Sequence, residues 1–218
     1  MSANSIGNCY LCGATLGKVA IKNHLIKIHN KDKGGQECYL LKIEGVFNKE
    51  YWLYVDIPME KTLYDIDTFL RKIWLECCTH MSAFFLPKHI ELNANRKLKT
   101  FEAGTKLYHH YDFGTTTETV ITILETIKRE PQKEAIRLLA RNVPPAFKCA
   151  DCGEMAAYID TELMYESDNP FYCKKCRKRD DDDMLLPITN SLRMGECAYS
   201  GEDDTFTFNP ASFTSGPK

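Results

Sequence analysis

TLYDIDTFLRKIWLECCTHMSAFF, residues 62–85, is the stretch on which the fold turns. Leu63, Ile66, Phe69, Leu70, Ile73 and Trp74 recur at steps of three and four, the spacing of one apolar helix face, while Asp65, Arg71, Lys72 and Glu76 fall mostly on the other. Thr62 is placed to cap the first turn, and Asp65 to answer it in a capping box. The pattern predicts one long amphipathic helix ending directly in Cys77, Cys78 and His80. Such a helix needs a sheet to cover, and strand-like runs flank it in sequence.

Before it, residues 38–46 (CYLLKIEGV) and 50–57 (EYWLYVDI) are rich in β-formers and separated by Phe47, Asn48 and Lys49, which predicts an antiparallel hairpin closed by Pro58. After it, residues 81–86 (MSAFFL) are apolar enough for a buried strand, and polar loop residues such as Asn93, Asn95, Arg96 and Lys97 follow. Residues 106–113 and 118–127 make a second hairpin around Gly114, Thr115 and Thr116, with Val120, Thr122, Leu124 and Thr126 alternating against Ile121, Ile123, Glu125 and Ile127. Residues 36–130 therefore read as an α+β domain, a mostly antiparallel sheet with one long helix on a face. Residues 131–145 are a connector in which 134–141 (EAIRLLAR) forms a short helix or a last strand, and Pro144-Pro145 enforces an extended exit.

Eight of the ten cysteines fall in close pairs, and the N-terminal MSANSIGNCYLC has no export signal, so thiolates holding metal are expected rather than disulfides. Neither arrangement below has the strand-helix context of a thioredoxin-like dithiol. Residues 1–35 hold Cys9 and Cys12, then, after eleven residues, His24, and after four more, His29, the pattern of a two-cysteine, two-histidine zinc finger. Leu16 and Ile21 would form its small core. The wide histidine gap turns His29 off the face of His24, so the helix must loosen at its end. Residues 146–180 hold Cys149, Cys152, Cys173 and Cys176, with twenty residues between the pairs and Gly153 after the first knuckle, the spacing of a zinc ribbon. Residues 156–159 and 171–173 would be its short strands. Each quartet offers four protein ligands, so two structural zinc ions are expected.

A candidate third site gathers Cys77, Cys78 and His80 with Cys197, which lies in a Met194-Gly-Glu-Cys197 turn. Met194 stands where a knuckle would place a second thiolate, and thioether is a poor zinc ligand. The expectation is that the tail packs against the helix end there, with metal as the alternative.

Trp74-Leu-Glu-Cys-Cys78 and Tyr111-Asp-Phe-Gly114, with Leu107 and Glu118, in the order hairpin, helix, hairpin, give a core that resembles the plasmid open-reading-frame-three family. The whole chain looks like a longer prokaryotic group that sets a finger before this domain and a zinc ribbon after it. The resemblance implies fold and metal content, and no activity. Asp112-Phe-Gly114 also matches the kinase magnesium triplet by letters, but no glycine-rich loop, strand lysine or catalytic loop accompanies it.

The formal net charge is only -2, so an electrostatic case for nucleic acid must be local. Lys18, Lys22, Lys27, Lys31 and Lys33 make the finger basic; Lys174, Lys175, Arg177, Lys178 and Arg179 cluster in the ribbon but abut the acidic run 180–183. Of the finger positions that would face bases, near Gly17, Ala20 and Asn23, only Asn23 can read one, so no sequence-specific DNA recognition is expected. No apolar run is long enough to cross a bilayer, which points to a cytoplasmic protein without a membrane partner. Residues 181–218 read as an acidic linker and a tail that packs back on the core through 185–188 and 194–199 and is loose after Asn209. The expected function is that of a zinc-binding, non-enzymatic binding or adaptor protein whose partner is a protein or nucleic acid. The alternative is an enzyme using Cys77, Cys78, His80 and Cys197 as a third metal or thiolate site.

Overall fold

Burial explains the strand runs directly. In the computed structural model, which describes residues 5–30, 35–131, 133–177, 184–201 and 206–213, the strand β4 (Trp52–Pro58) is buried along its whole length. Leu53, Val55 and Ile57 point into one apolar cluster, and Trp52 and Tyr54 into another on the opposite face of the sheet. The neighbouring β3 (Gln36–Gly45) divides in the same way, with Tyr39, Leu41 and Ile43 on one side and Cys38 and Leu40 on the other. A strand covered on both faces reads as a continuous apolar run rather than an alternation.

The sheet that contains them also holds β1 (Ile6–Cys9), β2 (Thr15–Gly17), β5 (Ser82–Leu86), β6 (Ile90–Leu92), β7 (Lys106–Tyr111), β8 (Thr117–Arg129) and β9 (Arg137–Asn142), in the order β2-β1-β9-β4-β3-β8-β7-β5-β6. Every pairing in it is antiparallel. One face is covered by α2 (Leu63–Leu70), whose Leu63, Ile66, Phe69 and Leu70 join the first cluster. The other is covered by α1 (Lys18–His24) and the residue after it, through Ile21 and Leu25. Residues 137–142 form a strand rather than a helix, and it lies between β1 and β4, so the segment carrying the N-terminal Cys and His residues continues the large sheet.

The expected long helix is corrected by the structure. Thr62 and Asp65 do form the capping box, but α2 is only eight residues long. Arg71–Leu75 continues it as a π turn, in which the Glu76 N–H donates to the Arg71 carbonyl at 2.9 Å. The cause is the run Ile73-Trp74-Leu75, all fully buried. Three consecutive side chains cannot share one stripe of an α-helix, and the extra residue of a wider turn rotates Leu75 inward.

A second sheet of β10 (Tyr158–Asp160), β11 (Phe171–Tyr172) and β12 (Leu185–Pro187), in the order β11-β10-β12, builds the C-terminal cysteine module. Its third strand comes from the tail. Past it, the Tyr10 hydroxyl donates to the Phe206 carbonyl at 2.8 Å, and Phe208 meets Tyr10 edge-on and Phe213 in a stack. Looseness after Asn209 is thus corrected as far as Phe213, where Pro210–Phe213 makes a 3-10 turn. Lys31, Lys33, Lys178, Arg179 and the acidic run 180–183 lie outside the described residues.

Candidate metal centres

The two Cys-x-x-Cys turns that open the modules are the same device. Gly13 N–H donates to the Cys9 carbonyl at 2.9 Å and Cys9 N–H to the Ala14 carbonyl at 2.8 Å; Gly153 N–H donates to Cys149 and Cys149 N–H to Glu154 at the same two distances. Gly13 and Gly153 have φ of +78° and +75°, the left-handed conformation that glycine takes without strain. This tight reversal points both cysteines of each pair the same way. At the ribbon's other pair, Arg177 N–H donates to the Cys173 carbonyl at 3.1 Å, closing a third such turn.

His24 and His29 are brought together by a second π turn. Five residues of ideal α-helix would leave them about 140° apart around the axis. Leu25–His29 instead widens, with Asn30 N–H donating to the Leu25 carbonyl at 2.9 Å, and the two Nε2 atoms stand 3.0 Å apart. Cys12 Sγ lies 3.2 Å from His24 Nε2, and Cys9 Sγ 3.6 Å from His29 Nε2. The corners of a tetrahedral zinc site stand about 3.3–3.8 Å apart, given Zn–N near 2.0 Å and Zn–S near 2.3 Å. The four ligand atoms of Cys9, Cys12, His24 and His29 lie within 4.8 Å of one another, as do those of Cys149, Cys152, Cys173 and Cys176. Within the latter, Cys152 and Cys173 sulfurs are 3.7 Å apart. Both groups can hold a metal ion.

Their thiols are tuned differently. Burial pushes the Cys9 thiol up to about 11, so a metal ion bound there would have to displace its proton. Burial would also raise Cys149, but backbone N–H groups of Cys173, Cys152 and Asp151 outweigh it and bring that thiol down to about 6.

Beyond α2 the structure brings Cys77, Cys78, His80 and Cys197 into a third group, again with all four ligand atoms within 4.8 Å. Cys78 Sγ lies 3.7 Å from Cys77 Sγ and 2.9 Å from His80 Nε2, and Cys197 Sγ lies 3.5 Å from the same nitrogen. Arg71 holds the loop: its guanidinium bonds Asp67 at 2.7 Å, Glu76 at 2.9 Å, the His80 carbonyl at 2.8 Å and the Ser82 hydroxyl at 3.1 Å. Cys197 is delivered by a strap, residues 189–199, fixed where Trp74 Nε1 donates to the Asn190 carbonyl and Ser191 Oγ to the Trp74 carbonyl, at 3.1 and 2.6 Å. Two residues on, fully buried Arg193 anchors its middle, pairing with Asp112 and donating to the Thr115 carbonyl at 2.6 Å and to Cys197 Sγ at 3.3 Å. Sequence reasoning missed Arg71 and Arg193 as parts of this site, and read Asp112 only within the family-like Tyr111-Asp-Phe-Gly114 segment and a chance match to the kinase triplet. The partners of Arg193 lie near residue 115, far away in the chain, and only its place four residues before Cys197 marked it.

A buried polar network backs the same loop. Asp67 accepts hydrogen bonds from Ser82 Oγ at 2.6 Å and His109 Nε2 at 2.8 Å as well as from Arg71. Burial alone would raise its carboxyl, but the His109, Ser82 and Arg71 hydrogen bonds prevail and hold it at about 2. Burial lowers His109 from its ordinary value; its Nε2 is the ring nitrogen on Asp67, and its buried Nδ1 has no hydrogen-bond partner. No helix among the described residues is long and apolar enough to cross a membrane.

No family model matches the chain, and no curated protein matches it. Among solved structures, a protein of unknown function from Methanosarcina mazei Go1 aligns with a TM-score of 0.43 and 16% identity, covering 50% of this chain and 71% of that one.

Proposed function

We propose that the chain is a zinc-stabilised, non-enzymatic binding protein, in which the quartets of residues 1–35 and 146–180 each hold one structural zinc ion. The observation that supports this is the ligand count: in each group four side-chain donors converge, their ligand atoms within 4.8 Å of one another. Four protein ligands complete the coordination sphere of zinc and leave no position for an activated water. The ten free cysteines suit a reducing compartment such as the cytoplasm.

The partner we favour is a protein. Lys18 is engaged by Glu44 and by the Lys49 carbonyl, which removes it from any phosphate-binding set. Along the finger helix and its π turn, Val19 is 74% and Ile28 53% exposed, and Ala20, Asn23 and Lys27 are exposed as well. Among the described residues, this segment offers apolar contact with Lys22 and Lys27 as its remaining lysines. Fluorescence anisotropy with labelled mixed-sequence DNA and RNA, run on protein whose zinc content has been measured, tests the reading. Zinc-loaded protein that leaves both probes free at physiological salt is the expected result. Binding with a steep salt dependence would replace the protein partner with nucleic acid, and absence of tightly bound zinc would defeat the reading as a whole.

A further inference from the structure

We propose that Cys77, Cys78, His80 and Cys197 hold a third zinc ion, and that this ion fastens the strap of residues 189–199 to the loop that follows α2. The four ligand atoms lie within 4.8 Å of one another, joined by contacts of 3.7, 2.9 and 3.5 Å, two of them inside the span of about 3.3–3.8 Å for tetrahedral zinc corners and one short of it. Three thiolates and one imidazole are a common structural zinc set.

Apolar packing of the tail does not account for this convergence. Cys78 and Cys197 are exposed, so they gain little from burial, yet both aim at the His80 nitrogen. A disulfide does not account for it either, because an imidazole takes no part in one. The backbone is bent to make the approach: Thr79, Cys197 and Ala198 all have positive φ, at 60°, 45° and 58°, a strained region for residues with a side chain. Two neighbouring cysteines can serve one ion here because the π turn ends α2 before them and Glu76 is already extended, with ψ at 112°. The thiolate expected at Met194 is not needed, since Cys77 and Cys78 both come from the loop.

The surroundings fit an anionic metal centre. Zinc with three thiolates carries a net negative charge, and the Arg193 guanidinium donates to Cys197 Sγ at 3.3 Å. Asp112, paired with that guanidinium, also stands 3.5 Å from His80 Nε2. Nε2 is the nitrogen that would face the ion, so Asp112 holds Arg193 rather than the imidazole, and Arg193, by orienting Cys197, tunes metal affinity from outside the coordination sphere. Binding releases the thiol protons of the three cysteines, and the four protein ligands close the sphere. This assigns the group a structural role in place of an activated water or a free thiolate nucleophile.

Zinc in the full chain, purified under reducing conditions, is counted by native mass spectrometry and elemental analysis. Wild type should carry three zinc ions, and Cys197→Ser and Cys78→Ser two each. Cys176→Ser, which breaks only the ribbon, should also carry two, so a fault in the ribbon is distinguished from one in the third site. Should Cys197→Ser fail to fold, cobalt titration of the wild type decides, since the visible bands of tetrahedral cobalt should saturate at three equivalents. Two ions in the wild type, or a folded Cys197→Ser protein with as much zinc as wild type, would overturn the proposal while leaving the finger and ribbon ions untouched.

Discussion

Asp56 is fully buried on β4, with Arg129 Nη1 at 2.9 Å and Arg137 Nη2 at 2.6 Å from its two carboxylate oxygens. Arg129 is itself buried, so removing the carboxylate strands its charge. Replacing one partner of a buried pair typically costs about 3–5 kcal/mol, more than the pair contributes relative to a well-packed apolar substitute. Asp56→Ala should lower the urea unfolding free energy by that order without changing zinc content; a loss below about 1 kcal/mol would mean that Arg129 finds water or another acceptor. Asp67 and His109 give a pH signature. Both have folded values below their unfolded ones, so each contributes stability that is present above its unfolded value and is lost as pH falls through the folded one. For His109 the loss begins below about 6.5, and for Asp67 below about 3.9. His109→Gln can still donate to Asp67 but does not titrate, so the difference in stability between wild type and variant should shrink as pH drops from 7 to 5. A difference that stays constant over that window would show that His109 does not titrate in the unfolding equilibrium.

At the level of elements, Gly13 and Gly153, both at positive φ, and the two π turns set the geometry of the candidate metal groups. A methyl group at Gly153 meets nothing within 4 Å, so Gly153→Ala tests backbone conformation alone. The left-handed conformation costs an ordinary residue about 1–2 kcal/mol, and asparagine tolerates it better. Gly153→Ala should therefore weaken zinc retention in a competition with chelator by roughly tenfold, and Gly153→Asn by less; equal retention in all three proteins would mean that the knuckle relaxes. Gly153 stood out in the sequence because it follows a cysteine pair, whereas Gly13, in the same place after Cys9 and Cys12, was not singled out. The capping box at Thr62 and Asp65 was equally visible, being local in the chain. The π turn after α2 was hidden, because periodicity was read from the residues that fit a 3.6-residue repeat, and Leu75, the one that does not, was passed over. The candidate residues of two groups could be named from spacing and those of the third from the helix end and the Met194-Gly-Glu-Cys197 turn, whereas Arg71 and Arg193, which hold the third group in place, depend on contacts that no local pattern encodes.

Across the whole molecule, the metal modules differ in how much else supports them. Residues 1–35 look from spacing like a separate finger, but β1 pairs with β9, and Cys9, Ile21 and Leu25 share an apolar cluster with Leu40, Trp52, Tyr54 and Ile127 of the large sheet. The ribbon has its own small cluster, in which Cys149, Tyr172, Cys173 and Leu185 are the buried members, two of them ligands. Structural zinc contributes roughly 10–16 kcal/mol in finger peptides, which is decisive for a unit with so little apolar core. It matters less for strands that are hydrogen-bonded into a large sheet, where neighbours supply most of the stability. Chelation should therefore act in order. Amides of β10, β11 and β12 should lose hydrogen-exchange protection first and completely; α1 and its π turn should follow, as His24 and His29 let go; β1 should stay partly protected through its bonds to β9; and β3, β4 and β8 should exchange at the rates of the metal-loaded protein. Hydrogen exchange read by mass spectrometry before and after a strong chelator resolves these segments. Loss of protection in β1 as early and as complete as in β10 would show that residues 1–35 depend on their metal as fully as the ribbon does, and that their pairing with β9 contributes little on its own.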